Sequence, residues 1–157
     1  MTALPMTEDR DKTSLREIAR LYAEFEESWR DMQGITFTVP GRLPGLNEII
    51  TAAKKQKHGY SPYNKMKAET QLQITNAIAR AKVPPMTDIH LQVTWIEPRR
   101  NRDKDNVAAG KKFILDALVD SGVLDTDGWA NVASFTDKFD VDAKNPRVEV
   151  TVFGRVK

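Results

Sequence analysis

Hydrophobic positions recur at two different periods along this chain, and the switches between them mark out its elements. Leu15, Ile18, Leu21, Tyr22, Phe25, Trp29 and Met32 return every three or four residues, the spacing of one helix face. Ser14 with Glu17 has the form of a capping box and predicts the helix start; Gly34 predicts its stop. The polar residues 1–13 read as a frayed end. Ile35-Thr36-Phe37-Thr38-Val39 alternates strictly and predicts a strand. Pro and Gly make residues 40–47 a loop, and a basic stretch with Lys54, Lys55 and Lys57 follows. Ser61-Pro62 opens a second helix, serine as N-cap and proline in the first turn, running to about Lys82 with Met66, Ile74, Ala77 and Ile78 inward. Ile89, Leu91, Val93 and Trp95 alternate with His90, Gln92 and Thr94, a second strand. A third helix is predicted from about Asn106 to Asp120, with Val107, Gly110, Ile114, Ala117 and Leu118 inward and Gly122 at its end. Val132–Val141 and Arg147–Val156 read as two final strands. The order α, β, α, β, α, β, β predicts an α+β fold, a single domain whose mixed β-sheet has helices packed on it. Residues 1–34 form an N-terminal extension of tail and amphipathic helix, and residues 35–157 the main domain.

Composition narrows the function classes. At 157 residues the chain is long enough to bury a core. It has no apolar run near the ~18 residues of a membrane span. No basic segment followed by an apolar one opens it, so no secretion signal is expected. The absence of cysteine removes disulfides and thiolate metal sites and fits a reducing cytoplasm, the expected location. Two histidines, His58 and His90, argue against an imidazole-built zinc site. Net charge is +2, but residues 1–34 hold five Lys/Arg against eight Asp/Glu, and the remainder nineteen against fourteen. A basic body without a strongly amphipathic basic helix points to nucleic acid rather than to a membrane.

The candidate chemistry lies in Pro98-Arg99-Arg100-Asn101-Arg102-Asp103-Lys104-Asp105-Asn106, two aspartates among four cations. In an extended chain, Asp103 and Asp105 point to one side. Two hard oxygen donors there suit Mg²⁺, with Mn²⁺ able to substitute, because such ions keep waters and take few protein ligands. A third carboxylate has to come from elsewhere; Asp125 or Asp127 is available, with Gly122 and Gly128 letting their loop bend back toward the pair. A metal so held polarises a phosphodiester and lowers the pKa of water, needing no histidine base. Lys112, seven residues after Asp105 and nearly on its face, is placed to neutralise charge on a phosphate in the transition state; Lys111 is turned toward solvent. Arg99, Arg100, Arg102 and Lys104 are suited to backbone phosphates. Between Arg42 and Lys82 eight Lys/Arg, including Lys65 and Lys67, face only two acids. The bland alternatives are that Asp105-Asn106 caps a helix, that Asp125–Gly128 is a turn, and that Trp95 and Trp129 serve the core or an interface.

Arg102-Asp103-Lys104-Asp105-Asn106, Lys112–Leu118 with Asp116-Ala117-Leu118, Gly122-Val123-Leu124 and Asp127, in this order, resemble the RusA family of Holliday-junction resolvases, as does the Leu43-Pro44-Gly45-Leu46-Asn47 loop. The likeness spans roughly residues 35–153. It implies a RusA-like fold and a Mg²⁺-dependent endodeoxyribonuclease of phage or prophage type. Such an enzyme acts as a homodimer on branched DNA, the four-way junction, in recombination and repair, with no organic cofactor. By resemblance Asp103, Asp105 and Asp127 hold the metal, and Lys112 is the catalytic lysine. Asn47, Lys65, Lys67, Arg99, Arg100, Arg102, Lys104, Asn106 and Lys111 would form the DNA surface. Lys112 stands three residues later than the family's lysine, where this chain has Ala109, and the acidic loop is two residues longer. A catalytically degenerate DNA-binding dimer, regulatory or used in packaging, is the alternative.

Overall fold

The computed structural model describes residues 8–30 and 34–157; within the first helix it describes the side chains of residues 14–25, 27 and 28. The chain divides into two compact units, residues 1–33 and 34–157. The first holds α1 (Glu8–Arg30). This helix passes through Ser14, so Ser14 and Glu17 are not a capping box, and residues 8–13 are helical rather than frayed. Residues 1–7, Met32 and the side chain of Trp29 lie outside the described residues, as does the way the helix reaches Gly34. Arg20 stands 4.0 Å from Glu17 and 3.8 Å from Glu24 on the charged side of α1.

The second unit contains β1 (Ile35–Pro40), α2 (Leu46–Lys54), α3 (Pro62–Ala81), β2 (Met86–Glu97), α4 (Lys104–Ala108), α5 (Lys111–Asp120), β3 (Val132–Val141) and β4 (Arg147–Val156). It is an α+β fold with a four-stranded mixed sheet in the order β1-β4-β2-β3. β4 runs antiparallel to β1 and β2, while β3 lies parallel to β2 at the edge. Parallel neighbours require the chain to return to the start of the first strand before entering the second, and α4 and α5 make that crossover.

Strand alternation does what it predicts. Ile89, Leu91, Val93, Trp95, Val148, Val150 and Val152 are buried on one face, against Ile74 and Ile78 of α3 and Phe113, Ile114 and Leu118 of α5. Each contributes about 1.5–3 kcal/mol through removal from water. The other face carries Thr36, Thr38, Gln92, Thr94 and Thr151, with Thr36 and Thr151 sharing a 2.8 Å hydroxyl contact. His90, read from the alternation as an outward residue, is only 6% exposed; its ring nitrogens meet Ser134 Oγ at 2.6 Å and Thr136 Oγ1 at 2.9 Å, which ties β2 to the edge strand.

Ser61 caps α3 as its sequence predicts, its hydroxyl accepting from Asn64 N at 3.2 Å. Two helical features differ from expectation. The segment after the Pro-Gly loop is α2, whose Ala52 is buried. The single helix predicted over residues 106–120 is two, broken at a turn of Ala109 and Gly110. Gly110 lies where a Cβ would meet Leu43 Cβ at 3.1 Å, Pro44 O at 3.2 Å and Trp95 Cζ3 at 3.3 Å, so the break is where the crossover presses on the 43–44 loop.

Gly45 is tighter still: a Cβ there would stand 2.6 Å from Asn106 Oδ1 and 2.9 Å from an Arg102 guanidinium nitrogen. Gly45→Ala is therefore expected to lower stability by about 1–3 kcal/mol, the usual cost of overpacking. Urea unfolding midpoints of the two proteins measure it; an unchanged midpoint would show that the α2 and α4 ends separate freely.

Candidate functional site

β2 ends at Glu97, and the charged segment leaves from there. Glu97 is 8% exposed and receives Arg102, whose Nε donates to Oε1 at 2.7 Å and whose second terminal nitrogen lies 2.6 Å from the same oxygen. The remaining Arg102 nitrogen donates to Leu43 O at 3.1 Å and to Glu48 Oε1 at 3.2 Å. Its side chain is 8% exposed, so Arg102, expected on the phosphate surface, turns inward and braces the loop before α2. Asn106 acts likewise: its Oδ1 accepts from Asn47 N at 3.0 Å. The Arg102 guanidinium and the Asn106 Oδ1 are thus engaged inside the chain.

Asp103 and Asp105 stand between these anchored residues. Asp103 is extended (φ −65°, ψ 151°) and is the N-cap of α4, with no side-chain cap bond; Asp105 lies in the first turn of that helix. The chain is thus not extended across the pair, and strand alternation is not what sets their directions. Both are exposed, and neither carboxylate has a hydrogen-bond or ion-pair partner among the described residues, although cations flank them. Asp103 lines a cavity of 430 Å³ with the exposed Arg99, Arg100 and Lys104, the acids Glu97 and Asp140, and the apolar Val107, Phe139 and Val141. The Lys104 ammonium lies 5.5 Å from the centre of the Phe139 ring.

Asp127 is elsewhere. Its loop lies beside the start of β2, where Met86 N donates to Val123 O and Ile89 N to Asn131 O, both at 2.8 Å. β2 has 12 residues, so its two ends are about 36 Å apart at ~3.3 Å per residue. The loop does not bend back to Asp103 and Asp105, because the parallel pairing of β2 with β3 obliges the crossover to finish at the other end of the strands, beside the start of β2. Asp127 shares a second cavity, of 240 Å³, with Lys67, Asp116, Asp120 and Asp125. Among the described residues no three acidic or histidine side chains of this chain are grouped to hold a metal ion.

The lysines also part company with expectation. Lys112 lies 3.5 Å from Asp116 Oδ2 and Lys67 3.8 Å from the same oxygen, itself buried with no hydrogen bond. Lys112 is thereby drawn toward the Asp127 cavity and not, by any contact, toward Asp105. Lys111, expected to face solvent, is 16% exposed; it pairs with Asp137 at 2.6 Å and sits 4.6 Å from the Phe135 ring centre. The break at Ala109–Gly110 rotates both lysines from where one continuous helix would put them. Asp137 also accepts from Trp95 Nε1 at 2.8 Å. It was missed in the sequence because it reads as one more polar residue of an alternating strand. Lys65 and Asn47 are exposed, and so are Arg99, Arg100 and Lys104. Trp95 is core, at 1% exposure, whereas Trp129 at the tip of the acidic loop is 102% exposed.

No protein-family model matches the chain, and no curated protein matches it. No helix among the described residues is long and apolar enough to cross a membrane.

Proposed function

We propose that the chain is a metal-dependent endodeoxyribonuclease of RusA type, working as a homodimer on four-way and related branched DNA. One observation carries this reading: two exposed carboxylates without internal partners among the described residues, held between anchored residues, the first of them lining a cavity with the exposed Arg99, Arg100 and Lys104. Free carboxylates in a basic setting hold little advantage for folding, since each could have paired with a neighbouring cation. They suit an ion whose charge replaces those partners. Asp103 and Asp105 fit half of a Mg²⁺ site, two oxygen donors for an ion that retains most of its waters. When bound, Mg²⁺ would supply Lewis-acid polarisation of a phosphodiester. Arg99, Arg100 and Lys104 would hold DNA phosphates next to the pair, fixing position without reading sequence. Arg102 and Asn106 would act as positioning residues, keeping the pair in place before substrate arrives.

Asp127 would complete the site from a second copy. Two-fold symmetry is the commonest arrangement of identical subunits, and it exchanges the two ends of the molecule when its axis crosses β2 and β3. Each composite site would then take Asp103 and Asp105 from one protomer and Asp127 from its partner. A dimer of this kind would present two equivalent sites, as paired cuts across a junction require. Lys112 and Lys67, near Asp127 through Asp116, would arrive with it.

The test is cleavage of a synthetic four-way junction beside a linear duplex of the same sequence, in Mg²⁺ and in EDTA. Paired, Mg²⁺-dependent nicks in the junction are expected, and Asp105→Asn should abolish them while junction binding persists. Tight binding without cleavage in Mg²⁺ or Mn²⁺ would instead favour a DNA-binding dimer. Equal cutting of duplex and junction would remove the branched-substrate assignment.

A further inference from the structure

Trp129 is the most conspicuous exposed side chain of the described residues: a complete indole in water, two residues after Asp127, on a loop whose charged members are Asp125 and Asp127. An indole left in solvent forgoes the burial of about 150–250 Å² that makes aromatic residues the anchors of interfaces. At the other end of the sheet lies the 430 Å³ cavity beside Asp103, with Val107, Phe139 and Val141 in its lining beside the exposed Arg99, Arg100 and Lys104. Its size falls among cavities of about 300–1,000 Å³ that admit whole small ligands. Apolar lining beside cations is a setting for an aromatic ring, and Lys104 already lies over the Phe139 ring.

We propose that Trp129 of one protomer inserts into the cavity beside Asp103 of a second copy, and that this contact seats Asp127 against Asp103 and Asp105. The cavity lining carries four cations (Arg99, Arg100, Arg102 and Lys104) against the acids Glu97, Asp103 and Asp140, with apolar Val107, Phe139 and Val141 between them. The apolar knob that meets it stands on a loop whose Asp127 has no ion pair among the described residues, Asp125 being paired with Lys157. The occupant cannot be the chain's own Trp129, since the loop and the cavity stand at opposite ends of β2. β3 is an edge strand, so no further strand of the sheet stands between these ends and a second copy. A two-fold axis perpendicular to β3 sets the start of one strand beside the end of the other, and the contact is made twice. The inference rests on the dimer with composite sites set out under the proposed function; the Trp129 contact itself does not require the metal chemistry.

The full chain has no cysteine, which makes cross-linking direct. Trp129→Cys and Val141→Cys are made as separate single variants, both at exposed positions, and then mixed and treated with a short bismaleimide spanning about the length of an indole. The mixture should give a covalent dimer on a denaturing gel at least tenfold more abundantly than either variant alone, because equivalent positions lie far apart in such a dimer. Equal yields from the mixture and the single variants would overturn the proposal. Sedimentation supplies the second readout: Trp129→Ala should raise the dimer dissociation constant at least tenfold. If sedimentation is unchanged while junction binding weakens, Trp129 stacks on DNA and the proposal fails. Unsubstituted protein that sediments as a dimer and gives the expected cross-linking pattern in its cysteine variants, yet never cleaves DNA in Mg²⁺ or Mn²⁺, would uphold the Trp129 contact and reject the nuclease reading.

Discussion

Two inactive variants, Asp103→Asn and Asp127→Asn, should regain Mg²⁺-dependent nicking when they are mixed. Each alone should lose about 10³-fold or more of the cleavage rate, on the scale of removing one preorganised electrostatic group from an active site. In a mixed dimer one composite site carries both substitutions. The other takes Asp103 and Asp105 from the Asp127→Asn chain and Asp127 from the Asp103→Asn chain, and is intact. Random exchange makes half of the dimers mixed, so about a quarter of the wild-type number of sites returns. Because each mixed dimer has one working site, the product should be single nicks, with paired cuts absent. The measurement is the nicking rate of a labelled junction after the variants are incubated together long enough to exchange subunits. Recovery fails if all three acids act within one chain, and then Asp127 serves some purpose other than completing the Asp103–Asp105 site. Mixing Asp103→Asn with Asp105→Asn is the matched control. Both lesions lie in the same half-site, so no recovery is expected.

Arg102→Ala should be the most destabilising single substitution in the charged segment, by about 3–5 kcal/mol. That is the cost of leaving a buried charge without its partner, here Glu97 at 8% exposure. For a chain of this size each kcal/mol moves the midpoint by about 2–4 °C, so a drop on the order of 10 °C is expected in thermal unfolding. Changing both partners, Arg102→Met with Glu97→Leu, should restore most of the loss, since no orphaned charge remains. The difference between the double variant and the sum of the singles gives the coupling. An Arg102→Ala midpoint within 2 °C of wild type, a shift of no more than about 1 kcal/mol, would show that water reaches Glu97 and that the pair braces nothing. If the pair does hold the segment, Arg102→Ala should also reduce cleavage at temperatures where the protein remains folded, through the displaced Asp103.

Much of the architecture was legible because periodicity is a local property. The alternation at residues 35–39, 89–95 and 147–156 specifies which side chains of those strands face inward, whichever strands become neighbours. Ser61-Pro62 specifies a helix start through two adjacent residues. Ser14 and Glu17 misled because a capping pattern is also compatible with a helix interior, and α1 begins at Glu8. The Ala109–Gly110 break was not legible. It arises where Gly110 meets the 43–44 loop and Trp95, contacts between residues more than ten positions apart. That break decides where Lys111 and Lys112 point, so the helical wheel that set Lys112 over Asp105 had no continuous helix to act on.

The sequence by itself determined the four strands, the helices through Leu15–Phe25 and after Ser61, the inward faces of β1, β2 and β4, the basic character of the body and the presence of Asp103 and Asp105 among cations. Tertiary structure alone decided that Arg102 is a buried brace instead of a phosphate contact, since only folding brings Glu97, Leu43 and Glu48 around it. It alone decided that Asp127 lies a strand's length from its expected partners. A parallel pair of strands forces the connecting chain back to the far end of the sheet, and no spacing along the sequence records that return.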